Sequence, residues 1–257
     1  MGATHTIPYH LITITIFSFG LIIGSFANVC IYRLPKKESV VTPVSRCIFC
    51  SAVVRPFDNI PVISYLVLGG KCRDCKENIS IIYPTIELIT GLLLLIGFFK
   101  FGLTFDLLIF TFVAPALVII TAIDIKHQII PDVITLPGII LGLAAGSYSI
   151  GFLNSIMGCF LAGGLFYFLA VISNGGMGGG DIKYITAVGA LVGWEKVLLI
   201  IFIGSFLGSI VSLYQIVVLK KSKKTLIAFG PFLSVATLIT LFYGNLLIKL
   251  YLDTMAQ

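Results

Sequence analysis

The sequence predicts an all-α polytopic membrane protein of about eight transmembrane helices, with a cytosolic cysteine-bearing segment between the first and second. Three observations predict it. Of 257 residues, 58% are hydrophobic and only 11% are charged. Apolar runs recur along the whole chain, each near the roughly 20 residues that a bilayer crossing needs. The 17 basic residues fall mostly into alternate connections between those runs. No soluble domain of this length has such a composition. Basic residues in a membrane protein report orientation, so the net charge of +6 is not read as a nucleic-acid patch.

The first apolar run covers roughly 9–32. No Lys or Arg precedes Arg33, so it lacks the basic start and the small-residue cleavage site of a secretory signal. It reads as a retained span with its N-terminus outside. The polar segment 33–80 follows, with four of the six cysteines and eight basic residues. Further apolar runs lie near 81–99, 103–123, 133–150 and 152–173. The stretch 184–219 has 36 residues, too many for one span. Gly193-Trp194-Glu195-Lys196 divides it into a short span and a full one, and 226–250 forms the last. The domains are then 1–32, 33–80 and a seven-helix membrane domain at 81–257.

The charges test this count. Connections on the inside hold fourteen basic residues, and those outside hold three, Lys100, Lys196 and Lys249. That is a strong positive-inside bias. A single span over 184–219 would instead place Lys220, Lys221, Lys223 and Lys224 outside. Small residues at spacing four, Gly20/Gly24, Gly138/Gly142/Gly146 and Gly204/Gly208, predict close helix packing in lipid.

Cys47, Cys50, Cys72 and Cys75 form two C-x-x-C pairs with 21 residues between them. Each pair can grip one edge of a tetrahedral metal, and two complete a closed site. Two disulfides are the rival reading, but a reducing cytosol favours zinc. A closed four-cysteine shell has no open position for water, so its role is structural. Cys30 and Cys159 fall inside spans and read as packing residues.

Acidic residues at membrane depth are costly and are functional candidates by default. Asp124 ends the third span, Asp132 opens the fourth after Pro131, and Asp181 opens the sixth. The topology puts all three at the inner face. Two close carboxylates cannot easily both ionise, so they share a proton. The ionised one takes a proton from water while the protonated one polarises a carbonyl. That is aspartyl protease chemistry and needs no metal. Gly178-Gly179-Gly180-Asp181 fits it, because glycine allows a close substrate approach and positive φ. The plainer alternative is a loop with Asp181 as a helix N-cap. Asp132 also suits a plain helix start, and His127 reads as a surface histidine. Glu87, one turn into the second span, faces a polar cavity or pairs with a basic residue.

The motifs occur together in one known family. The chain resembles the type IV prepilin peptidases, also called leader peptidase/N-methyltransferases. The matching text is "GSFANVCIYRLP" (24–35), both C-x-x-C pairs, "NIPVISYLVLGGKC" (59–72), "YPTIE" (83–87), "DIKHQIIPDVITLP" (124–137), "GMGGGDIK" (176–183) and "FGPFL" (229–233). The resemblance implies an eight-span protein of the bacterial inner membrane with a cytosolic zinc-binding segment. It implies a G-x-G-D aspartyl protease in which Asp124 and Asp181 are the catalytic pair. Asp132, Gly178, Gly180 and Lys183 are supporting positions in the same motifs, and glycine occupies the x. The implied substrates are type IV prepilins or type II secretion pseudopilins. Their basic leader is cut after a glycine at the cytosolic face, and the new N-terminus is then methylated with S-adenosylmethionine. Some members lack the cysteines, which separates zinc from proteolysis. No Rossmann-type glycine loop is visible for the methyl donor, so Asn28, Arg33, Asn59 and Glu87 are its candidates. Membrane lipid is the remaining expected partner.

Two rivals use similar residues. A transporter also carries intramembrane carboxylates, usually near the midplane. A zinc-dependent membrane protease needs an open metal site, and the chain has no H-E-x-x-H.

Overall fold

The computed structural model describes residues 8–173, 176–220 and 227–255. Lys221, Lys223 and Lys224 of the basic run lie outside the described residues. In lipid every backbone N–H and C=O must be satisfied within the chain, and a helix does so locally. The described residues accordingly fold into helices, with two isolated β-bridges as the extended pairing. The helices are α1 (Tyr9–Arg33), α2 (Ile63–Val67), α3 (Ile82–Phe101), α4 (Phe105–His127), α5 (Asp132–Ile150), α6 (Phe152–Ile172), α7 (Gly179–Val192), α8 (Trp194–Val217) and α9 (Gly230–Met255).

Seven of these are long and apolar enough to cross a membrane, all but α2 and α7. Large apolar side chains such as Phe112, Ile140, Phe160 and Phe202 point outward on them. Such a surface suits lipid as its solvent, and the protein is a multi-pass membrane protein. Gly193, at φ 84, ends α7 and lets α8 begin at Trp194, so the chain breaks where the sequence places the division. With 14 residues, α7 is about 21 Å long at 1.5 Å per residue, shorter than a full crossing.

The chain divides into two compact units, Met1–Ile119 and Ile120–Gln257, with the boundary inside α4. In the first unit α1 packs along α3. A Cβ on Gly20 would stand 2.7 Å from the Gly91 Cα, and one on Gly24 would stand 2.7 Å from the Glu87 Cα. Any side chain there would push the two backbones apart, and lipid offers no hydrophobic force to bring them back.

In the second unit α7 lies between α5 and α6. A Cβ on Gly142 would meet the Ala187 carbonyl oxygen at 2.6 Å. Gly158 of α6 approaches Gly189 of α7 backbone to backbone. The Ser155 hydroxyl donates to the Ala190 carbonyl at 2.6 Å. Gly204 of α8 lies against Leu233 of α9. The short helix is thereby fixed on several sides, and its buried residues include Tyr184, Ile185 and Val188.

Candidate active site

Three helix ends of the second unit build an acidic site. Asp124 sits in the last turn of α4 and is 5% exposed. The backbone N–H of Gly230 donates to its Oδ2 at 2.8 Å. Gly230 is the first residue of α9, where amides have no partner within the helix and the helix dipole is positive. Phe229 fixes that entry by its ring contact with Phe166 of α6, centroids 6.2 Å apart.

Asp181 sits in the first turn of α7. The N-cap is Gly178, not Asp181. Asp181 occupies the third helical position, its N–H donates to the Gly178 carbonyl at 3.1 Å, and its carboxylate turns back over Gly178. That is the acidic half of a capping box. Its Oδ1 is buried with no hydrogen-bond partner among the described residues. The first turns of α9 serve both acids: Gly230 binds Asp124, and Ser234 bonds to Tyr184, three residues after Asp181.

The glycines serve differently from the expectation. Gly176, Gly178, Gly179 and Gly180 all avoid positive φ. Gly178 and Gly180 are needed for space. A Cβ on Gly180 would stand 2.9 Å from the Ile130 Cβ, in the loop joining α4 to α5. A Cβ on Gly178 would stand 3.2 Å from Asp181 Oδ2, whereas one on Gly179 would meet nothing within 4 Å. Asp132 and Lys183 form an ion pair beside the site, with Lys183 Nζ 2.8 and 2.7 Å from the two carboxylate oxygens. His127 is exposed at the end of α4.

The cysteines converge in the first unit. All four Sγ atoms lie within 4.8 Å of one another, with Cys47–Cys75 at 3.8 Å and Cys50–Cys72 at 4.0 Å. Four thiolates around a zinc at about 2.3 Å stand about 3.8 Å apart, so the set fits such a metal. Disulfide sulfurs would be at about 2.0 Å. Both C-x-x-C turns have one design. The first cysteine's N–H donates to the carbonyl five residues on (Ala52, Glu77), and the residue before it bridges to the residue seven on (Arg46 to Val53, Lys71 to Asn78). Ser51 and Lys76 take positive φ at equivalent places. Arg73, inside the second turn, clamps Asp58 at 2.6 Å and holds its carboxyl below the usual range.

The other four candidates gather around the end of α1, the start of α3 and the loop before α2. Asn28 donates to the Tyr83 carbonyl at 3.0 Å. Arg33 donates to the carbonyls of Ser39 and Pro43, at 2.9 and 2.7 Å. Glu87 is buried and accepts the Val62 N–H at 2.7 Å, so its partner is a backbone amide and not a basic side chain. Asn59 is exposed in the 3₁₀ turn Pro56–Asn59. Cys30 is buried and Cys159 half-buried, both free.

Two family models match this chain. Residues 18–101 match the bacterial peptidase A24 N-terminal domain, and residues 110–213 match the type IV leader peptidase family. The chain is 33% identical to a prepilin leader peptidase/N-methyltransferase of Pseudomonas aeruginosa, over 98% of this chain and 96% of that protein. It is 35% identical to a protein of the same name from Legionella pneumophila, over 91% and 92% of the two chains. The chain belongs to the type IV leader peptidase family. A Bacillus subtilis member of that name is 31% identical, over 92% of this chain and 96% of its own. No solved structure matches at a significant level.

For a leader peptidase of this family the matched region includes both Asp124 and Asp181, while Gly230 falls beyond it. Sequence reasoning picked out "FGPFL" without giving Gly230 a contact. It also missed Tyr184, which is buried directly after the G-x-G-D turn and hydrogen-bonded to Ser234 at 3.0 Å, tying α7 to α9.

Proposed function

We propose that this leader peptidase uses Asp124 and Asp181 as an aspartyl dyad. The dyad removes the basic leader of type IV prepilins or type II secretion pseudopilins after a glycine, at the cytosolic face of the bacterial inner membrane. One observation carries the reading: the first turns of α9 bring two carboxylates of different helices to one place, through Gly230 on Asp124 and Ser234 on Tyr184 three residues after Asp181, and one oxygen there, Asp181 Oδ1, has no partner among the described residues. Like charges so near favour a state with one shared proton. In that state the ionised carboxylate takes a proton from the attacking water, and the protonated one donates to the scissile carbonyl. The Gly230 N–H stabilises charge on Asp124 and so favours Asp181 as the carboxyl that carries the proton. Gly179, with open space where its side chain would be, suits the close passage of a substrate backbone.

The transporter reading is weaker. Its carboxylates belong near the midplane, whereas Asp124 and Asp181 lie at helix ends. The zinc-protease reading is weaker because the cysteine set is closed.

The mature N-terminus is then methylated. S-adenosylmethionine carries a sulfonium cation and a charged amino-acid end. The corner holding Glu87, Asn28, Arg33 and Asn59 supplies a buried carboxylate, amides and a guanidinium. Glu87→Gln is expected to weaken binding of the methyl donor at least several-fold in a titration without substrate, while cleavage persists. Unchanged binding removes Glu87 from that site.

In the direct test, the purified protein is incubated in detergent with a prepilin and S-adenosylmethionine, and the product is weighed. Loss of the leader plus one methyl group is expected. Loss of the leader alone removes the methylation step, and an uncut cognate prepilin overturns the reading.

The cysteines are proposed to hold one structural zinc. Metal analysis should find about one zinc per chain, lost in Cys50→Ser, and a chelator should strip it while cleavage persists. Cleavage lost with the metal and regained on adding zinc alone would give the site a direct part in proteolysis.

The Asp132–Lys183 pair is proposed to position Asp181 by tying the first turn of α7 to that of α5. A partly exposed pair contributes at most about 1 kcal/mol. Lys183→Met should therefore lower cleavage by no more than about fivefold, and adding Asp132→Asn should cost little more. Loss by orders of magnitude would make Lys183 part of the chemistry.

A further inference from the structure

We propose that the segment 61–68, with α2 at its centre, is an interfacial anchor lying at the headgroup and acyl boundary of the bilayer, on the side where α3 begins. The sequence places it in a water-exposed connection. The structure ties it to the start of α3. Helix α3 has 20 residues, about 30 Å, which matches the hydrocarbon thickness. Its first residue, Ile82, therefore sits near the hydrocarbon boundary. Glu87 lies in the second turn below that point, and its carboxylate accepts the Val62 N–H at 2.7 Å. Helical side chains lean toward the N-terminus, which keeps that hydrogen bond at boundary depth.

The local backbone is built around this attachment. Val62 has φ 62 and ψ −49, and the Ile63 N–H donates to the Pro61 carbonyl at 2.6 Å. This is a γ-turn centred on a β-branched residue, a costly conformation. The buried Glu87 carboxylate is what holds it. Ser64 fastens the other side, donating to the Phe57 carbonyl at 2.8 Å and accepting from the Ile60 N–H at 3.0 Å. Gly69 and Gly70, both at positive φ, turn the chain back toward the second cysteine pair.

With the polar groups used inward, α2 turns its apolar side chains outward. Ile63 is 57% exposed, Leu66 70% and Val67 75%. Three large apolar residues on five helical positions form a surface that water does not favour. At the depth fixed by Glu87 the occupant is lipid. Charge agrees: residues 33–80 hold eight basic and four acidic side chains. Arg55 and Lys71 flank the segment, where they can reach anionic headgroups while the apolar side chains sit below.

Trp194 is the only tryptophan, so Trp194→Phe combined with Leu66→Trp gives a single reporter in the full chain. The protein is reconstituted in vesicles of phosphatidylglycerol and phosphatidylcholine. The indole should emit at short wavelength and be quenched by lipids brominated high on the acyl chain, more than by lipids brominated near its end. Replacing Arg55 and Lys71 by Gln should reduce the quenching in anionic vesicles. A water-like emission that ignores brominated lipid overturns the proposal. A short-wavelength emission without quenching overturns it too, because protein would then cover the surface. Val67→Trp in the same background repeats the measurement if the first variant fails to fold.

Discussion

Replacing Asp124 or Asp181 by alanine, one at a time, should abolish leader cleavage while the protein stays folded in the membrane. The two residues come from helix ends 57 positions apart in sequence, and both helices are tied to the first turns of α9. A positioned acid or base typically contributes roughly a hundred- to ten-thousand-fold. Members of one catalytic unit are not additive, so the double variant should be little worse than either single one. Asparagine is the sharper substitution. It keeps the shape but cannot cycle a proton, and Asp181→Asn should be as inactive as Asp181→Ala. The measurement is the rate of leader loss, with membrane extraction and thermal unfolding as controls for folding. Full activity in either variant would remove the dyad.

The second large effect should come from glycines that carry no functional group. In Gly230→Ala the new Cβ would stand 2.8 Å from Asp124 Oδ2, too close to remain. Either α9 withdraws or the carboxylate turns, and the 2.8 Å hydrogen bond is lost. A hydrogen bond to a charged group contributes about 1.5–3 kcal/mol, so cleavage should fall roughly ten- to a hundredfold. Gly180→Ala should lower it as well, because its Cβ would stand 2.9 Å from the Ile130 Cβ. Gly179→Ala is the comparison. It adds the same methyl group between two sensitive positions, but into open space, and should stay within about twofold of the parent. Equal losses at Gly179 and Gly180 would show that the loop needs glycine for freedom of movement and not for room.

What the sequence made legible followed from local or one-dimensional signals. Hydropathy located the long helices to within a few residues, and charge forced the division at Trp194. The C-x-x-C spacing was enough to expect four convergent sulfurs. Other features depend on contacts that no spacing encodes. Gly230 reaches Asp124 across 106 residues, and a lone glycine before a proline carries no mark of that bond. The G-x-G-D glycines were expected to admit a substrate strand and to permit positive φ; none takes positive φ, and at Gly180 the constraint is Ile130 on a neighbouring loop. Glu87 was expected at a polar cavity or a basic partner, and it captures the amide of Val62. The segment around α2 read as undifferentiated loop because five residues are too few to show a helical period. Its twin cysteine turns, with matching bridges and matching positive-φ residues, were visible only as matching cysteine spacing.

The bond between Gly230 and Asp124 also sets an order in time. Ribosomes build the chain from its N-terminus, so both aspartates are made before the residue that binds the first of them. A chain halted ahead of α9 carries the acids without the amide that steadies Asp124 and without Ser234 behind Tyr184. On the proposed dyad, the amide that steadies Asp124 is thus the last of these parts to be made, and a chain halted before it should cut at most weakly.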